Sequence, residues 1–338
     1  MPSDTLSALE RLPRIRLAHL PTPIEPLPRL SQHLGGPDLF IKRDDQTGLA
    51  TGGNKARKLE FLVAEALESG ADALITAGST QSNHARQTAA AAMRCGLDCH
   101  LVLYTPGGHP PHDITGNLLL IHLLGATVRW TDERAPYIRT IAQVEAELVV
   151  AGRRPFVIPY GGSNAVGLMG YALAMQECAA QMAQTGPFDA HVFATSSGGT
   201  QAGMILGARL AGLPDSTRLL GISVDRPQAG FAPDVAALTT AGANLLGLDW
   251  SFDSAGVDIN DAYLGGGYAV VGEPEREAIR LLAHLEGILA DPVYTGRALA
   301  GLIDLVRHGE FQAGQRVLFW HTGGAAALFA FTEALGLD

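Results

Sequence analysis

The feature that most limits what this chain can fold into is its rhythm of short apolar runs and helical stretches. "LFIKRDD" (39–45), "ALITAGST" (73–80), "CHLVLYT" (99–105), "TVRW" (127–130), "FVIPYGG", "HVFATSS" (191–197), "RLLGISVD" (218–225) and "RVLFWHTGG" (316–324) read as strands. Helical patterns separate them: a helix from Lys55 toward Gly70, 82–96, 114–124, about 136–151, the stretch after "SSGG", a stretch after residue 225, 295–309, and a last helix after "HTGG". Strands of continuous apolar character that alternate with helices form parallel sheets covered on both faces. With 338 residues, 47% of them hydrophobic, two lobes with a cleft between them are expected. In open α/β sheets, ligands bind at the carboxyl ends of the strands.

Charge narrows the function. Lys and Arg number 24 against 34 Asp and Glu, a net charge of −10. That argues against nucleic acid or an anionic membrane as partner, because phosphate contacts need clustered positive charge. No apolar run is long enough to span a bilayer, and the amino-terminal stretch has no apolar signal region, so a cytoplasmic protein is expected. Three cysteines, Cys95, Cys99 and Cys178, fit a reducing compartment. Cys95 and Cys99 read as structural rather than as metal ligands, and no metal is expected.

Polar knots fall at the strand-to-helix junctions. "TGGNKARKLE" (51–60) puts Lys55, Arg57 and Lys58 in the first turn of an amphipathic helix, with Asn54 as its N-cap. A helix start disfavours bases. The glycines before Lys55 would let the backbone pass close to a ligand. Of the three bases, only Lys55 is expected to be indispensable to chemistry; Arg57 and Lys58 answer acids such as Asp44 and Asp45, or solvent. "SSGGTQAG" offers Ser197, Gly198, Gly199 and Thr200 around a positive helix end, which suits either a phosphate cradle or a capped tight turn. Gln81, Ser82, Asn83 and His84 crowd another helix start, more polar groups than capping needs, and the site is sized for a carboxylate. Tyr294 suits stacking on a planar ligand or half-buried packing. Thr295 and Thr322 suit helix capping or a hydrogen bond to a ring nitrogen. A lysine, a phosphate cradle, a carboxylate turn and nearby hydroxyls are together what pyridoxal phosphate uses.

Five motifs in order, "GGNKARKLEFL", "QSNHARQTAAAA", "SSGGTQAG", "DPVYTGRALAGLI" and "HTGGAAALFAF", resemble the D-cysteine desulfhydrase / 1-aminocyclopropane-1-carboxylate deaminase family. The similarity runs from residue 20 to Phe331. It implies the tryptophan synthase β-subunit-like fold (fold type II), with two open-sheet α/β lobes. Residues 1–50 and 165–338 would form the large cofactor-binding domain and 51–164 the small one. It also implies a homodimer.

The resemblance makes Lys55 the cofactor-bearing lysine, and Asn54 joins the cofactor-binding set. Asn83 would bind the 3-hydroxyl, Ser197 to Thr200 the phosphate, and Ser82 to His84, with Gln81, the substrate carboxylate. Ser82 would lie near the substrate, and Tyr268 and Tyr294 would be active-site tyrosines. Around Tyr268 the chain has Ala269, Val270 and Val271 in place of the family's "GYG-V-P". Cyclopropane deaminases tend to carry Gln where His84 stands and Glu where Thr295 stands. A neutral group at the pyridine nitrogen makes a weaker electron sink, so both positions favour β-elimination from a small amino acid. D-cysteine is the first expectation, yielding pyruvate, sulfide and ammonia. L-cysteate sulfo-lyase and cyclopropane deaminase activity are the alternatives. A non-catalytic binder of pyridoxal phosphate or an amino acid is the alternative of another class.

Overall fold

The computed structural model describes residues 8–135 and 137–336. Residues 1–7 and 337–338 of the expected large domain, and Pro136 at the start of the expected 136–151 helix, lie outside the described residues. In chain order the elements are β1 (Ile24–Pro26), α1 (Pro28–Leu34), β2 (Asp38–Lys42), α2 (Lys55–Glu68), β3 (Ala73–Ser79), α3 (Asn83–Arg94) and β4 (Asp98–Tyr104). Then come α4 (Gly116–Leu123), β5 (Thr127–Thr131), α5 (Ile138–Val150), β6 (Pro155–Val157), α6 (Met169–Thr185), β7 (Ala190–Thr195), α7 (Gly199–Leu210) and β8 (Arg218–Ser223). The chain closes with α8 (Gln228–Leu245), β9 (Ile259–Asn260), α9 (Glu273–Glu286), α10 (Thr295–Arg307) and β10 (Arg316–Trp320).

Two sheets result, ordered β1-β2-β10-β7-β8-β9 and β5-β4-β3-β6. All pairings are parallel except β1 with β2, which is antiparallel. The period of two along a strand explains the cover on both faces. Val317 and Phe319 of β10 face one core, with Leu299 and Ile303 of α10. Leu318 and Trp320 face the other, with Tyr171 and Met175 of α6. The four-stranded sheet repeats the arrangement: Leu74 and Leu101 pack with α2 and α3, Ile75 and Val102 with α5. Among the described residues no helix is long and apolar enough to cross a membrane.

Three expectations change. The last segment is a 3-10 helix over Ala325–Ala330, not an α-helix. β1 and β9 span 3 and 2 residues, too few to show a period, and went unread. Most instructive is α2. Its spacing predicts an amphipathic helix, yet every residue from Ala56 to Ala64 is buried, including Arg57, Lys58 and Glu60. The charged residues go inside because each has partners there. Glu60 accepts from the Leu17 and Ala18 N–H groups at 2.9 Å and from Arg14, fastening the amino-terminal segment.

Candidate active site

The segments that follow β3, β6, β7 and β10 at their carboxyl ends all line one cavity. Lys55 stands at the start of α2 and lines it. The loop before Lys55 is conformationally costly: Ala50 and Thr51 have φ of 42° and 71°, and Gly52 and Gly53 follow with positive φ. The glycines serve a crossing of chain on chain rather than a ligand. A Cβ on Gly52 would stand 1.9 Å from the Asp45 carbonyl oxygen, and one on Gly53 would stand 3.1 Å from that of Thr322. Asn54 precedes the helix but does not cap it; its amide donates to Thr200 Oγ1 at 3.2 Å. Burial lowers the Lys55 pKa to about 8, although a hydrogen bond with Lys58 pulls the other way.

The other two bases part company. Arg57 answers Asp44, as the sequence suggests, at 2.8 and 2.9 Å, and also reaches Glu177. Asp45 pairs instead with Arg43. Tyr171 donates to Asp44 at 2.6 Å, so Arg57 sits in a fully partnered buried network. Lys58 answers neither acid nor solvent. It is buried, and its Nζ donates to the Gly161 carbonyl at 3.2 Å and to Ser163 Oγ at 3.3 Å. Burial, with the Lys55 charge beside it, holds its pKa well below the usual lysine range.

Ser163 leads to the loop after β7. Its hydroxyl bonds Ser197 Oγ at 2.8 Å and accepts from the Gly199 N–H at 3.2 Å. Ser197, Gly198 and Thr200 line the cavity at the start of α7. Glycine is required here. Gly198 has φ of +83°, and a Cβ on Gly199 would come 2.9 Å from Lys58 Nζ. The result is a small concavity with hydroxyls and first-turn N–H groups around it, the Lys58 amine behind Ser163, and no acid in its described lining.

Across the cavity, Ser82 caps α3, accepting from the Ala85 N–H at 3.1 Å, which leaves its own proton free. The Asn83 oxygen accepts from Arg86 at 3.0 Å and Asn117 at 2.9 Å, so its N–H pair is left for the cavity it lines. Arg86 and Asn117, which orient Asn83, went unread in the sequence. Two expected carboxylate ligands behave otherwise. Gln81 is engaged at both ends by the start of α4, with the Thr115 carbonyl and the Asn117 N–H, and does not line this cavity. His84 lines it but is held neutral, first by burial and then by the two lysine charges. Thr76 gives its proton to the Ile158 carbonyl, so His84 Nε2 donates to Thr76 and the ring offers the cavity no N–H.

The threonines separate as well. The Thr295 hydroxyl donates to Asp291 Oδ1 at 2.7 Å and accepts from the Asp291 N–H, away from the cavity. Thr295 is the first residue of α10 and caps nothing; Asp291 accepts its N–H as well, at 2.6 Å, so the expectations that Thr295 caps the helix or meets the cofactor are both corrected. Thr322 lines the cavity. Asp291 also accepts the N–H groups of Val293 and Tyr294, which sets Tyr294 in the wall. Tyr294 and Tyr268 share a 2.6 Å hydrogen bond between their hydroxyls, and burial raises the pKa of both. Among the described residues no three His, Cys, Asp or Glu side chains gather as metal ligands do.

Fold and cavity define a class: an α/β protein with a lysine facing an anion cradle at the ends of parallel strands. The chain belongs to the pyridoxal-phosphate dependent enzyme family, whose model matches residues 15–323. It is 46% identical over 329 residues to a D-cysteine desulfhydrase of Klebsiella pneumoniae (strain 342), covering 97% of this chain and 98% of that one. A D-cysteine desulfhydrase of Salmonella choleraesuis (strain SC-B67) is 45% identical over 328 residues, covering 96% and 98%. A solved structure described as an ACC deaminase homologue superposes with a TM-score of 0.89 at 38% identity, covering 100% of this chain and 99% of that one. The residues present fit pyridoxal phosphate: the glycine-kept cradle suits a phosphate, whose charge would favour the protonated form of the Lys58 amine beside it, and the buried Thr195 hydroxyl in the cavity wall has no partner within the protein.

Proposed function

We propose that this protein is a pyridoxal-phosphate-dependent β-eliminating lyase acting on a small amino acid, with D-cysteine as substrate. Water is consumed, and pyruvate, hydrogen sulfide and ammonia leave. The observation that carries this reading is one cavity lined by Lys55, the Ser197–Thr200 turn and the Ser82 turn together, with Ser163 and Lys58 joined to it behind Ser197. The relatives named D-cysteine desulfhydrase support the choice of substrate.

When bound, the cofactor supplies the electron sink that makes the α-proton acidic. Lys58 and the first turn of α7 would hold its phosphate, Asn83 its hydroxyl and Lys55 its aldehyde carbon, with Tyr294 beside the ring and Thr322 at its nitrogen. Ser82 and the first N–H groups of α3 bind the substrate carboxylate. Lys55, with a pKa of about 8, is poised to take a proton near neutral pH. The two tyrosines keep theirs, since burial raises both, and the pair can hand a proton to the leaving sulfur.

We assign 1–50 and 165–338 to the large domain and 51–164 to the small one. The membership of the strands in the two sheets supports that division. A cytoplasmic homodimer is the working form we infer, and three unpaired cysteines suit a reducing compartment.

Pyruvate release from D-cysteine, L-cysteine, L-cysteate and 1-aminocyclopropane-1-carboxylate tests the assignment. D-cysteine is expected to give the highest kcat/KM; a higher value for the cyclopropane acid or cysteate overturns it. Lys58→Met is expected to weaken retention of pyridoxal phosphate by roughly 10- to 100-fold, the worth of one charged hydrogen bond. Dialysis against known cofactor concentrations measures this, and unchanged retention removes Lys58 from the phosphate site.

A further inference from the structure

A second cavity of about 580 Å3 adjoins the first, beyond Tyr160 and the Tyr268–Tyr294 pair. Tyr160 lines both. Asp225, just past β8, lines the second and is the one acid among the described residues lining either cavity. It touches the first through Ser196, whose hydroxyl donates to Asp225 Oδ2 at 2.9 Å. Its other oxygen, Oδ1, is buried with no partner.

The neighbouring arginines are engaged elsewhere, and Arg134, the one cation in the second cavity's described lining, lies over the Tyr104 ring, 5.8 Å from its centroid. Arg297 is taken by Glu275 and by the carbonyls of Val224, Gly267 and Val270. Arg226 is taken by Asp234 and the Gly230 carbonyl. A substrate with its carboxylate at Ser82 and its α-carbon toward Lys55 would, on this proposal, turn its side chain toward Ser196, Tyr160 and Tyr294, which line the same cavity. Asp225 stands behind Ser196.

We propose that Asp225 is a specificity-determining residue that admits neutral side chains and turns away those ending in a carboxylate or sulfonate. The inference rests on the proposed lyase reading, since it assumes where the amino acid lies. Like charges brought together in a partly buried site cost at least about tenfold in affinity. Discrimination of this kind comes from repulsion built against the wrong ligand, not from added contacts to the right one.

Aspartate and asparagine are isosteres without a leaving group, so their binding separates charge from turnover. Calorimetric titration of the cofactor-loaded protein at pH 8, with both enantiomers of each, gives the ratio of their dissociation constants. The wild type is expected to bind asparagine at least about tenfold more tightly than aspartate. Asp225→Asn, which keeps an acceptor for Ser196, is expected to bring the ratio to within about threefold of unity. Asp225→Glu is expected to restore the preference. A ratio in Asp225→Asn within twofold of the wild-type ratio overturns the proposal, as does a wild type that binds neither isostere. Pyruvate formation from D-cysteine by the same preparation reports on the lyase reading separately.

Discussion

Lys55→Ala is expected to lower kcat by about 10⁴-fold or more, because on the proposed function one side chain would both anchor the cofactor and carry a proton. The variant should fold with an unchanged unfolding midpoint, since the Lys55 amine takes part in no buried ion pair. Its visible cofactor absorbance should vanish on gel filtration. Retained absorbance together with retained pyruvate formation would sink the assignment. The pKa of about 8 adds a second check. Only the neutral amine attacks an aldehyde, so loading of the cofactor-free protein should accelerate about tenfold per pH unit below 8 and level off above it. A loading rate that still climbs steeply between pH 9 and 10 would place the nucleophile's pKa elsewhere.

Arg57→Met is expected to cost about 3 to 5 kcal/mol of stability, the largest structural effect of any single change considered. Asp44 is wholly buried, and burial alone would raise its pKa; the Arg57 guanidinium holds it below the usual carboxylate range instead. Without Arg57 the carboxylate keeps only the Tyr171 and Thr22 hydroxyls and the Lys42 charge, which is already paired with Glu177. The loss should appear as a lower urea midpoint with an unchanged slope. The sign with pH follows. The Asp44 pKa is depressed in the folded state, so its stabilisation is complete above the unfolded value and fades as pH falls through the folded one. The deficit of Arg57→Met should therefore shrink on acidification. A deficit under about 1 kcal/mol would show the network to be replaceable.

Legibility followed the physics. Parallel sheets could be read because their strands are apolar on both faces, and the lysine, the cradle and the Ser82 turn because a helix start concentrates unusual residues. Orientation was not legible. Gln81 and Ser82 are adjacent in sequence, yet one turns to α4 and the other to the cavity. Thr295 and Thr322 both stand just past a strand or turn, and Asp291 alone decides that Thr295 faces away. Lys58 looked like a solvated base because nothing local says that Ser163, more than a hundred residues on, brings a cradle to it. Asp225 carried no motif at all. Its position beside Ser196 is a product of β7 and β8 lying side by side.

The place of β10 has a consequence for how the protein comes to exist in a cell. β10 follows every other described strand in the chain, yet it is an interior one, between β2 and β7. Until residue 320 has left the ribosome, β2 and β7 both present open edges to other chains. The part of the cavity wall that holds Thr322 is also still missing at that point. A nascent chain stalled before Arg316 would carry both exposed edges, and aggregation rather than partial activity is its expected fate.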